Sequence, residues 1–248
     1  MAEKPRISII TVSFNAEKYI ERTIKSVINQ TYPNIEYIVI DGASKDGTMD
    51  IVKKYANKID YYISEPDKSH FDAMNKGLAK ATGDYVLYMN AGDCIRKETS
   101  LDEMIAGYNQ ADFIYSIAEY IDEEGNRKPW HKKTPPPEKI SAKSFLNGMV
   151  VCHHCIIVKR SIAPNYHLDP WKVSNDLDWA IRIMKQVKTV HFYDDIFCLY
   201  LEGGISAVQR RKAVKERFDI TVLHFGFFAA VMEQFKIGFQ ILKRGGLS

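Results

Sequence analysis

The sequence has little of what marks several large classes of protein. It contains four cysteines in 248 residues, mostly in strand-like segments, so we expect buried free thiols in a reducing cytoplasm. Basic residues exceed acidic ones by only three, and no RNP, zinc-finger or zipper pattern occurs, so no nucleic-acid partner is expected. No uncharged apolar run approaches the ~20 residues of a membrane span, and no apolar h-region precedes the first strand. Neither a transmembrane helix nor a signal peptide is therefore expected.

A glycine-rich phosphate loop is also missing. The segment that ends the first predicted strand reads TVSFNAEKY and matches neither GxGxxG nor GxxxxGK[ST]. Dinucleotide binding and P-loop hydrolysis therefore lose their main support. A nucleotide bound by this chain would have to be held by side chains and a metal ion.

The CHHC sequence at 152–155 raises the question of a metal or redox site. We predict a strand over 151–159, in which Cys152 and His154 would point to one face and His153 and Cys155 to the other. Four convergent ligands are then excluded, and no second CxxC completes a zinc site. We therefore expect no structural metal at this position.

The first half of the chain alternates regularly between strand and helix patterns. Near-continuous apolar and β-branched runs, typical of strands buried on both faces, cover 6–14, 35–40 and 85–89. Helical stripes lie between them, and Asn15 is predicted to cap the first helix. This rhythm predicts an α/β fold with a mostly parallel central sheet and helices on both faces.

In sheets of this kind, ligands bind at the carboxyl ends of the strands. The polar side chains that follow the strands there are Ser13, Asn15, Asp41, Asn90 and Asp93. Their convergence is the first indication of function.

The second half is less regular. Strands are predicted near 112–121, 151–159 and 189–201, with a hairpin at DEEGN and a helix near 176–187. Two helical stretches fill 207–243.

Three segments together resemble family 2 glycosyltransferases, which are inverting enzymes of the GT-A fold. They are ISIITVSFNAEKYIERTIKSVINQTYPNIEYIVIDGASKDGT, SEPDKSHFDAMNKGLAKATGDYVLYMNAGD and SNDLDWAIRI. The similarity is dense from about 6 to 93, patchy from 145 to 206, and slight beyond. It implies an enzyme of the bacterial surface-polysaccharide type, which moves a sugar from a UDP- or dTDP-sugar to a hydroxyl of a saccharide or lipid-linked saccharide.

The resemblance also implies a domain organisation. We expect a GT-A catalytic domain over 1–206, made of a nucleotide-binding half (1–95) and an acceptor-shaping half (96–206). Residues 207–248 are expected to form a C-terminal helical extension.

By the same resemblance, the nucleotide base is held at the ends of the first two strands, at Val12, Phe14 and Asp41. Asp41 is suited to accept an imide N–H from uracil or thymine while Phe14 packs on the ring. The alternative is that Asp41 caps its own Asp-Gly loop.

The segment EPDKSHFDAMN borders the nucleotide and its phosphates in the family, which implicates Lys68, Asp72 and Asn75. Lys68 would contact phosphate as a point charge. The alternatives are a solvated surface lysine and, for Asp72, a partner of the helix dipole in the first turn.

Residues 89–93, MNAGD, match the family's metal motif, which commonly ends in two acidic residues. Gly92 stands where the first acid is often found, and Asp93 is kept. Because diphosphate oxygens and water supply most of an octahedral shell, Asp93 alone would hold Mn²⁺ or Mg²⁺, with Asn90 orienting a water or the sugar. Weak metal binding without the nucleotide is expected. The alternative is that Asp93 is an ordinary turn residue.

Asp176 matches the family's catalytic base. An inverting transfer needs one carboxylate to take the proton of the acceptor hydroxyl during in-line attack. A helix N-terminus lowers the pKa of a carboxylate, which opposes this role, whereas desolvation by substrates would raise it. Asp178 is the second candidate for the base, although its i,i+4 spacing from Arg182 favours a surface ion pair.

Three further residues are implicated by the resemblance. His153 matches a histidine that part of the family has near the acceptor and the donor phosphates, and a packed strand histidine is the alternative. The EGGIS segment (202–206), with Arg210 and Arg211, is expected to form a mobile loop over the diphosphate. A solvated turn is the alternative.

Residues 218–243 carry aromatic and apolar side chains at helical spacing. The uncharged stretch 220–232 is too short to span a bilayer but can lie in its interface. We expect either contact with the inner face of the cell membrane by a cytoplasmic enzyme, or packing on the core or on a second subunit.

Two other functions have some support from the sequence. A sugar-nucleotide nucleotidyltransferase shares a similar α/β core, but its glycine-rich N-terminal loop is not found here. A non-catalytic sugar-nucleotide-binding protein is consistent with the loss of one acidic metal residue.

Overall fold

The computed structural model describes residues 4–128, 136–171, 173–203 and 209–243, with only the backbone for 128 and 237–243. The strands are β1 (Ile7–Ser13), β2 (Ile35–Asp41), β3 (Tyr61–Ser64), β4 (Tyr85–Tyr88), β5 (Cys94–Ile95), β6 (Phe113–Ile121), β7 (Arg127–Lys128), β8 (Ile156–Lys159) and β9 (Val190–Leu201). The α-helices are α1 (Ile20–Ile28), α2 (Thr48–Lys54), α3 (His70–Lys80), α4 (Ser100–Ile105), α5 (Asn175–Met184), α6 (Arg210–Phe225) and α7 (Phe227–Lys243). Short 3₁₀ turns cover Ala56–Lys58, Ala142–Asn147, His153–Cys155 and Arg160–Ile162.

The strands of the described ranges form one sheet in the order β3-β2-β1-β4-β8-β6-β9-β5, with β7 paired to β6. Strands β3, β2, β1 and β4 are all parallel to their neighbours, as the alternation of strand and helix predicts. The other half is mixed, because β8 runs antiparallel to both β4 and β6, whereas β6 and β9 are parallel. The sheet is therefore parallel in the half that the sequence pattern describes best.

The order of the strands reverses between β1 and β4, since β2 and β3 lie on one side of β1 and β4 on the other. The carboxyl ends of β1 and β4 thus flank the crevice where α/β sheets bind ligands. The register pairs Ser13 with Asp41, and the N–H of Ala91 donates to the carbonyl of Val12 at 3.0 Å. The predicted site residues of the first half are brought together by these pairings.

Helices pack on the parallel half through apolar stripes. In α1, Ile20, Ile24 and Val27 are buried, as their spacing predicts. Helix α3 approaches the sheet at Gly77, where a Cβ would lie 2.3 Å from the Cγ2 atom of Ile10. Only glycine allows this approach, so α3 lies directly on β1.

The prediction for Asn15 is wrong. Helix α1 begins at Ile20, and Asn15 instead has a left-handed backbone with φ of +46°. Its Oδ1 accepts the N–H of Lys45 at 2.9 Å, which ties the ends of β1 and β2 together. An Asn side chain that bonds locally in this way tolerates positive φ.

The strand predicted over 151–159 is also wrong in its first half. Residues His153–Cys155 form a 3₁₀ turn, and β8 starts only at Ile156. Side chains three apart stack on the same side of a 3₁₀ turn, so the alternation of faces expected for CHHC does not hold. Within the described ranges, no group of three or more His, Cys, Asp or Glu side chains is arranged to hold a metal ion.

The two C-terminal helices pack on each other, and α6 also packs against α5 and the turn Ala142–Asn147. Among the helices in the described part of the chain, none is both long and apolar enough to cross a membrane.

Candidate active site

Asp41 joins the carboxyl ends of three parallel strands. Its buried carboxylate accepts hydrogen bonds from the hydroxyls of Ser13 in β1 (3.0 Å) and Ser64 in β3 (2.6 Å). The hydroxyl and the N–H of Ser44 also donate to it, at 2.5 and 2.9 Å. Each oxygen therefore already accepts two hydrogen bonds, which supports the loop-cap interpretation. A base N–H would have to compete with these serines.

A different carboxylate lies beside the exposed ring of Phe14. Phe14 is 66% exposed at the end of β1, whereas Val12 is buried within the strand. A Cβ built on Gly42 would lie 2.7 Å from Oδ2 of Asp67 and 3.3 Å from the Phe14 ring. Burial raises the pKa of the Asp67 carboxyl, whose side chain makes no hydrogen bond within the described residues. Phe14 and Asp67 thus offer an aromatic face and an acceptor side by side.

The first turn of α3 uses Asp72 as a cap. Its carboxylate accepts the N–H of Lys68 at 3.0 Å, and its own N–H donates to the hydroxyl of Ser69 at 3.3 Å. The side-chain amide of Asn75 makes two hydrogen bonds with the backbone of Tyr166. Its Oδ1 accepts the N–H at 2.7 Å, and its Nδ2 donates to the carbonyl at 2.9 Å. The side chains of Asp72 and Asn75 therefore hold the backbone of Lys68 and Tyr166 in place. The side chain of Lys68 is exposed to solvent.

Helix α1 holds the loop that follows β4. Arg22 donates to the carbonyl of Gly92 at 2.7 Å, and the Thr23 hydroxyl donates to the carbonyl of Asp93 at 2.7 Å. Gly92 has φ of +109°, and a Cβ there would lie 2.9 Å from the Leu201 side chain. An acidic residue at 92 would be strained, which gives a physical reason for the single carboxylate of the NAGD motif.

Asp93 is buried against a histidine. Its Oδ2 lies 3.0 Å from Nε2 of His154, and its Oδ1 accepts the N–H of Leu201 at 2.8 Å. Nδ1 of His154 donates to the carbonyl oxygen of Tyr88, 3.0 Å away. Burial by itself would lower the pKa of His154, but the Asp93 carboxylate raises it to about 9. In this state the imidazolium neutralises Asp93.

The neighbouring histidine faces the predicted base. Nδ1 of His153 lies 4.0 Å from Oδ2 of Asp176, and the rings of His153 and His154 are 3.7 Å apart. Burial holds the pKa of His153 well below its ordinary value, so the ring is neutral, and its Nε2 has no hydrogen-bond partner in the described part of the chain. Two adjacent histidines thus lie between the carboxylates of Asp93 and Asp176.

Asp176 has the environment that a base requires. Burial raises the pKa of its carboxyl, and the N–H of Leu177, donating at 2.9 Å, only partly offsets this. The side chain remains 26% exposed, so a proton donor can reach it. The depression expected at a helix N-terminus is therefore outweighed by burial.

Helix α6 supports the helix that carries Asp176. Glu216 of α6 accepts the N–H groups of Val173 and Ser174, both at 2.8 Å, just before α5 begins. The Ser174 hydroxyl donates to the carbonyl of Ala213 at 3.2 Å. The C-terminal part of the chain thus helps to position the predicted base.

Asp178 does not form the surface ion pair that its spacing suggested. It is fully buried, and its oxygens lie 2.7 Å from Nε of Arg182 and 2.7 Å from Nε2 of His224 in α6. Nδ1 of His167 lies 3.3 Å away. With these partners Asp178 is a structural carboxylate, which leaves Asp176 as the candidate base.

The predicted phosphate loop can be placed only in part. Residues 204–206 of EGGIS lie outside the described residues. Arg210 and Arg211 begin α6 and are exposed, and neither forms an ion pair with Asp93 or Asp176 within the described ranges. Arg217, nearly two turns further along α6, is close enough to lower the pKa of Asp176.

Four residues that shape the site were not singled out in the sequence. They are Asp67, His154, Tyr166 and Glu216. Asp67 and His154 lie inside motifs quoted above. For His154, the signal was its place in CHHC, but the strand predicted there concealed it, because residues 153–155 form a 3₁₀ turn. Tyr166 and Glu216 act through contacts distant in sequence, for which no local pattern exists.

The end of β4 offers suitable donors to a divalent cation. Asp93 Oδ2 and His154 Nε2 lie together, and Oδ1 of Asn90 is buried with no hydrogen-bond partner in the part of the chain that the structure describes. A cation that takes its remaining ligands from a diphosphate and water fits this donor set.

Comparison with known proteins identifies the family of the chain. The family model described as Glycosyl transferase family 2 matches residues 8–166. The Bacillus subtilis (strain 168) protein named putative teichuronic acid biosynthesis glycosyltransferase TuaG is 28% identical over 231 residues, which covers 90% of this chain and 91% of that protein.

Two solved structures show the same fold. Staphylococcus aureus TarS 1-349 in complex with UDP-GlcNAc aligns with a TM-score of 0.64 at 18% identity, over 88% of this chain and 71% of that chain. Mannosyltransferase PcManGT from Pyrobaculum calidifontis, in complex with GDP-Man and Mn²⁺, aligns with a TM-score of 0.62 at 17% identity, over 94% of this chain and 74% of that chain. The fold is thus that of GT-A glycosyltransferases, and the chain belongs to glycosyltransferase family 2 and is a sugar-transferring enzyme.

Proposed function

We propose that this enzyme transfers a sugar, with inversion, from a UDP- or dTDP-sugar to a hydroxyl of a saccharide or lipid-linked saccharide in bacterial surface-polysaccharide synthesis. The observation that carries the proposal is the position of two carboxylates on either side of the adjacent rings of His153 and His154. Asp176, in the first turn of α5, lies next to His153, and Asp93, after the end of β4, lies next to His154. The name of TuaG and the UDP-GlcNAc complex of TarS support this class of donor and acceptor. Family membership favours transfer over the nucleotidyltransferase and non-catalytic alternatives.

Asp176 is the proposed base. As the acceptor oxygen bonds to the anomeric carbon, its proton passes to the Asp176 carboxylate, and the bond from that carbon to the diphosphate oxygen breaks on the opposite face. Burial raises the pKa of Asp176, which makes it a stronger base than an exposed aspartate. Neutral His153, 4.0 Å away, borders the position where the acceptor hydroxyl would lie.

The donor base is proposed to lie on Phe14, at the ends of β1 and β2. Asp41 was the expected acceptor for an imide N–H, but its oxygens are occupied by serines, so Asp67 is better placed for this contact. Lys68, Arg210 and Arg211 are exposed cations that would meet the diphosphate from the solvent side.

Asp93 is the proposed ligand for Mn²⁺ or Mg²⁺, and Asn90 would orient a water or the sugar. When bound, such an ion supplies positive charge to the departing diphosphate. The Mn²⁺ complex of PcManGT supports the use of a divalent cation by this fold.

The direct test is donor hydrolysis and transfer, measured with and without Mn²⁺, in three aspartate variants. Asp176→Asn should lower kcat by ~10² or more while UDP affinity changes only a few-fold. Asp93→Asn should abolish Mn²⁺-dependent UDP binding without loss of the circular dichroism spectrum. The exposed Asp194→Asn is the matched control. Equal losses of kcat and UDP affinity in Asp176→Asn would mean that Asp176 is structural.

We also propose a catalytic domain over 1–206, with halves 1–95 and 96–206, and an extension over 207–248. The contacts of Glu216 and His224 with the region of α5 indicate that α6 supports the catalytic domain. Point substitutions therefore test the extension better than truncation does, because truncation would remove partners of buried Asp178.

Helix α7 presents an uncovered apolar face. Phe228, Met232 and Phe235, spaced at i, i+4 and i+7, are 85%, 58% and 70% exposed. Residues 207–248 contain eight basic and three acidic residues, a surplus of five that exceeds the net charge of +3 of the whole chain. Aromatic residues flanked by basic ones suit the interface of an anionic bilayer. We propose that this face binds the cytoplasmic membrane surface, where a lipid-linked acceptor would be presented.

Co-sedimentation with liposomes tests this surface. The wild-type protein should sediment with phosphatidylglycerol vesicles more than with neutral phosphatidylcholine vesicles, and Phe228→Ser/Phe235→Ser should not, with donor hydrolysis unchanged. Val214→Ser, at an exposed apolar position of α6, is the control. A wild-type dimer that the double variant converts to a monomer, with no vesicle binding, would show that a second copy covers the face instead.

A further inference from the structure

We propose that His154 is a second protein ligand of the divalent cation, through Nε2, beside Oδ2 of Asp93. The inference rests on the proposed metal-dependent function and extends it from one protein ligand to two. The loop after β4 has one acidic side chain, Asp93. Its polar neighbour is His154, which belongs to the 3₁₀ turn before β8.

The separation of the two atoms suits an octahedral ion. Nε2 of His154 and Oδ2 of Asp93 are 3.0 Å apart. Two adjacent ligands that each lie about 2.1 Å from an ion, at right angles to each other, are about 3.0 Å apart. Because a ligating histidine is neutral, Nε2 gives up its proton to solvent when the ion binds.

Both side chains are oriented from behind by the backbone. The Tyr88 carbonyl accepts from Nδ1 of His154, which directs Nε2 toward Asp93. The N–H of Leu201 holds Oδ1 of Asp93, which leaves Oδ2 for the ion. Ligating histidines and carboxylates are commonly oriented in this way. The two side chains are only 1% and 7% exposed, so neither is free to turn away.

Position 92 cannot supply the second ligand. Gly92 has φ of +109°, and any side chain there would meet Leu201. Within the described ranges, no third His, Cys, Asp or Glu joins Asp93 and His154 in a ligand group. His154, from the turn before β8, is the residue of these types that lies against Oδ2 of Asp93 within the described residues.

An imidazole ligand has a consequence for the choice of metal. Mg²⁺ prefers an all-oxygen shell, whereas the transition-metal ion Mn²⁺ also accepts an imidazole nitrogen beside oxygen ligands. The enzyme should therefore bind Mn²⁺ more tightly than Mg²⁺. His154→Gln should reduce this preference because it removes the imidazole nitrogen that would bind the ion.

Pulsed electron paramagnetic resonance of Mn²⁺ bound to the wild-type protein with UDP tests the ligand directly. We expect a ¹⁴N coupling from a bound imidazole, replaced by ¹⁵N coupling when the protein is labelled with ¹⁵N-histidine. In titrations with UDP present, His154→Gln should lower Mn²⁺ affinity by ~10²-fold or more, beyond the loss of about 10–100-fold typical of outer-shell partners. His153→Gln, whose Nδ1 faces Asp176 instead, should keep the Mn²⁺ affinity within a few-fold.

The outcomes separate this inference from the function on which it rests. Mn²⁺ bound with no histidine coupling, and with the affinity of His154→Gln unchanged, would overturn the ligand role of His154 and leave a metal-dependent enzyme. Turnover in EDTA equal to that in Mn²⁺, with no Mn²⁺ bound to the UDP complex, would overturn both.

Discussion

Asp178 is a buried carboxylate that contacts one arginine and two histidines within the described residues, and Asp178→Asn should lower the free energy of unfolding by about 3–5 kcal/mol. Asparagine keeps the shape of the side chain but removes the charge that faces Arg182 and His224, both mostly buried. For a chain of this length, each kcal/mol shifts Tm by about 2–4 °C, so Tm should fall by about 6–20 °C.

Thermal and urea unfolding, followed by circular dichroism, measure this loss. Asp219→Asn, at an exposed position on α6, is the matched control and should change stability by less than about 0.5 kcal/mol. Because α5 also carries Asp176, the Asp178→Asn variant should lose transferase activity at temperatures that the control tolerates. A loss below about 1 kcal/mol would show that the cluster is solvated and would refute the reasoning.

The pH dependence gives a second check on Asp178. Burial raises the pKa of this carboxyl, but the hydrogen bond from His224 and the charge of Arg182 outweigh burial and lower it. A lowered folded-state pKa contributes stability above the unfolded pKa of about 3.9, and this stability is lost as pH falls through the folded value. The unfolding curves of wild type and Asp178→Asn should therefore converge in acid.

Three further predictions concern other sites. Asp112→Asn should cost about 2–3 kcal/mol at pH 7, because Lys159 and backbone N–H groups outweigh burial and bring the pKa of Asp112 to about 2. The cost should vanish as pH falls from about 4 to 2, and an equal cost in urea unfolding at pH 7 and pH 2 would contradict it. The acid limb of kcat/KM should lie above the ordinary carboxyl value of 3.8, since burial raises the pKa of Asp176; a limb at or below 3.8 would remove Asp176 as the titrating base. Gly92→Asp should lower stability by about 1–3 kcal/mol through its backbone strain and its contact with Leu201, with no gain in Mn²⁺ affinity by titration calorimetry. Tighter Mn²⁺ binding by this variant would show that the loop adapts.

The apolar periodicity located most elements of the fold. Strands buried on both faces appear in the sequence as continuous apolar runs, which is why β1, β2 and β4 lie close to where they were predicted. In α5, Leu177, Ile181 and Met184, which follow one another at helical spacing, are buried. Periodicity was least informative for short elements, such as β5 and the turn His153–Cys155, because two or three residues contain no full period.

The roles of individual carboxylates were harder to predict. The i,i+4 spacing of Asp178 and Arg182 correctly indicated an ion pair, but it could not show that α6 covers the pair and adds His224. Asp41 was expected to contact the nucleotide base. Its carboxylate accepts hydrogen bonds from Ser13 and Ser64, so a carboxylate at a strand end can also join neighbouring strands. Helical spacing identifies neighbours on one element, and burial depends on what packs against that element.

By itself, the sequence determined the parallel half of the sheet, the meeting of polar residues at the strand ends, and the resemblance to family 2 glycosyltransferases. Each of these depends on local periodicity or on short motifs. Only the tertiary structure decided that His154 lies against Asp93, because the antiparallel pairing of Leu87 with Ile157 brings the turn before β8 to the end of β4. That pairing joins residues far apart along the chain, and it follows from the packing of the whole sheet.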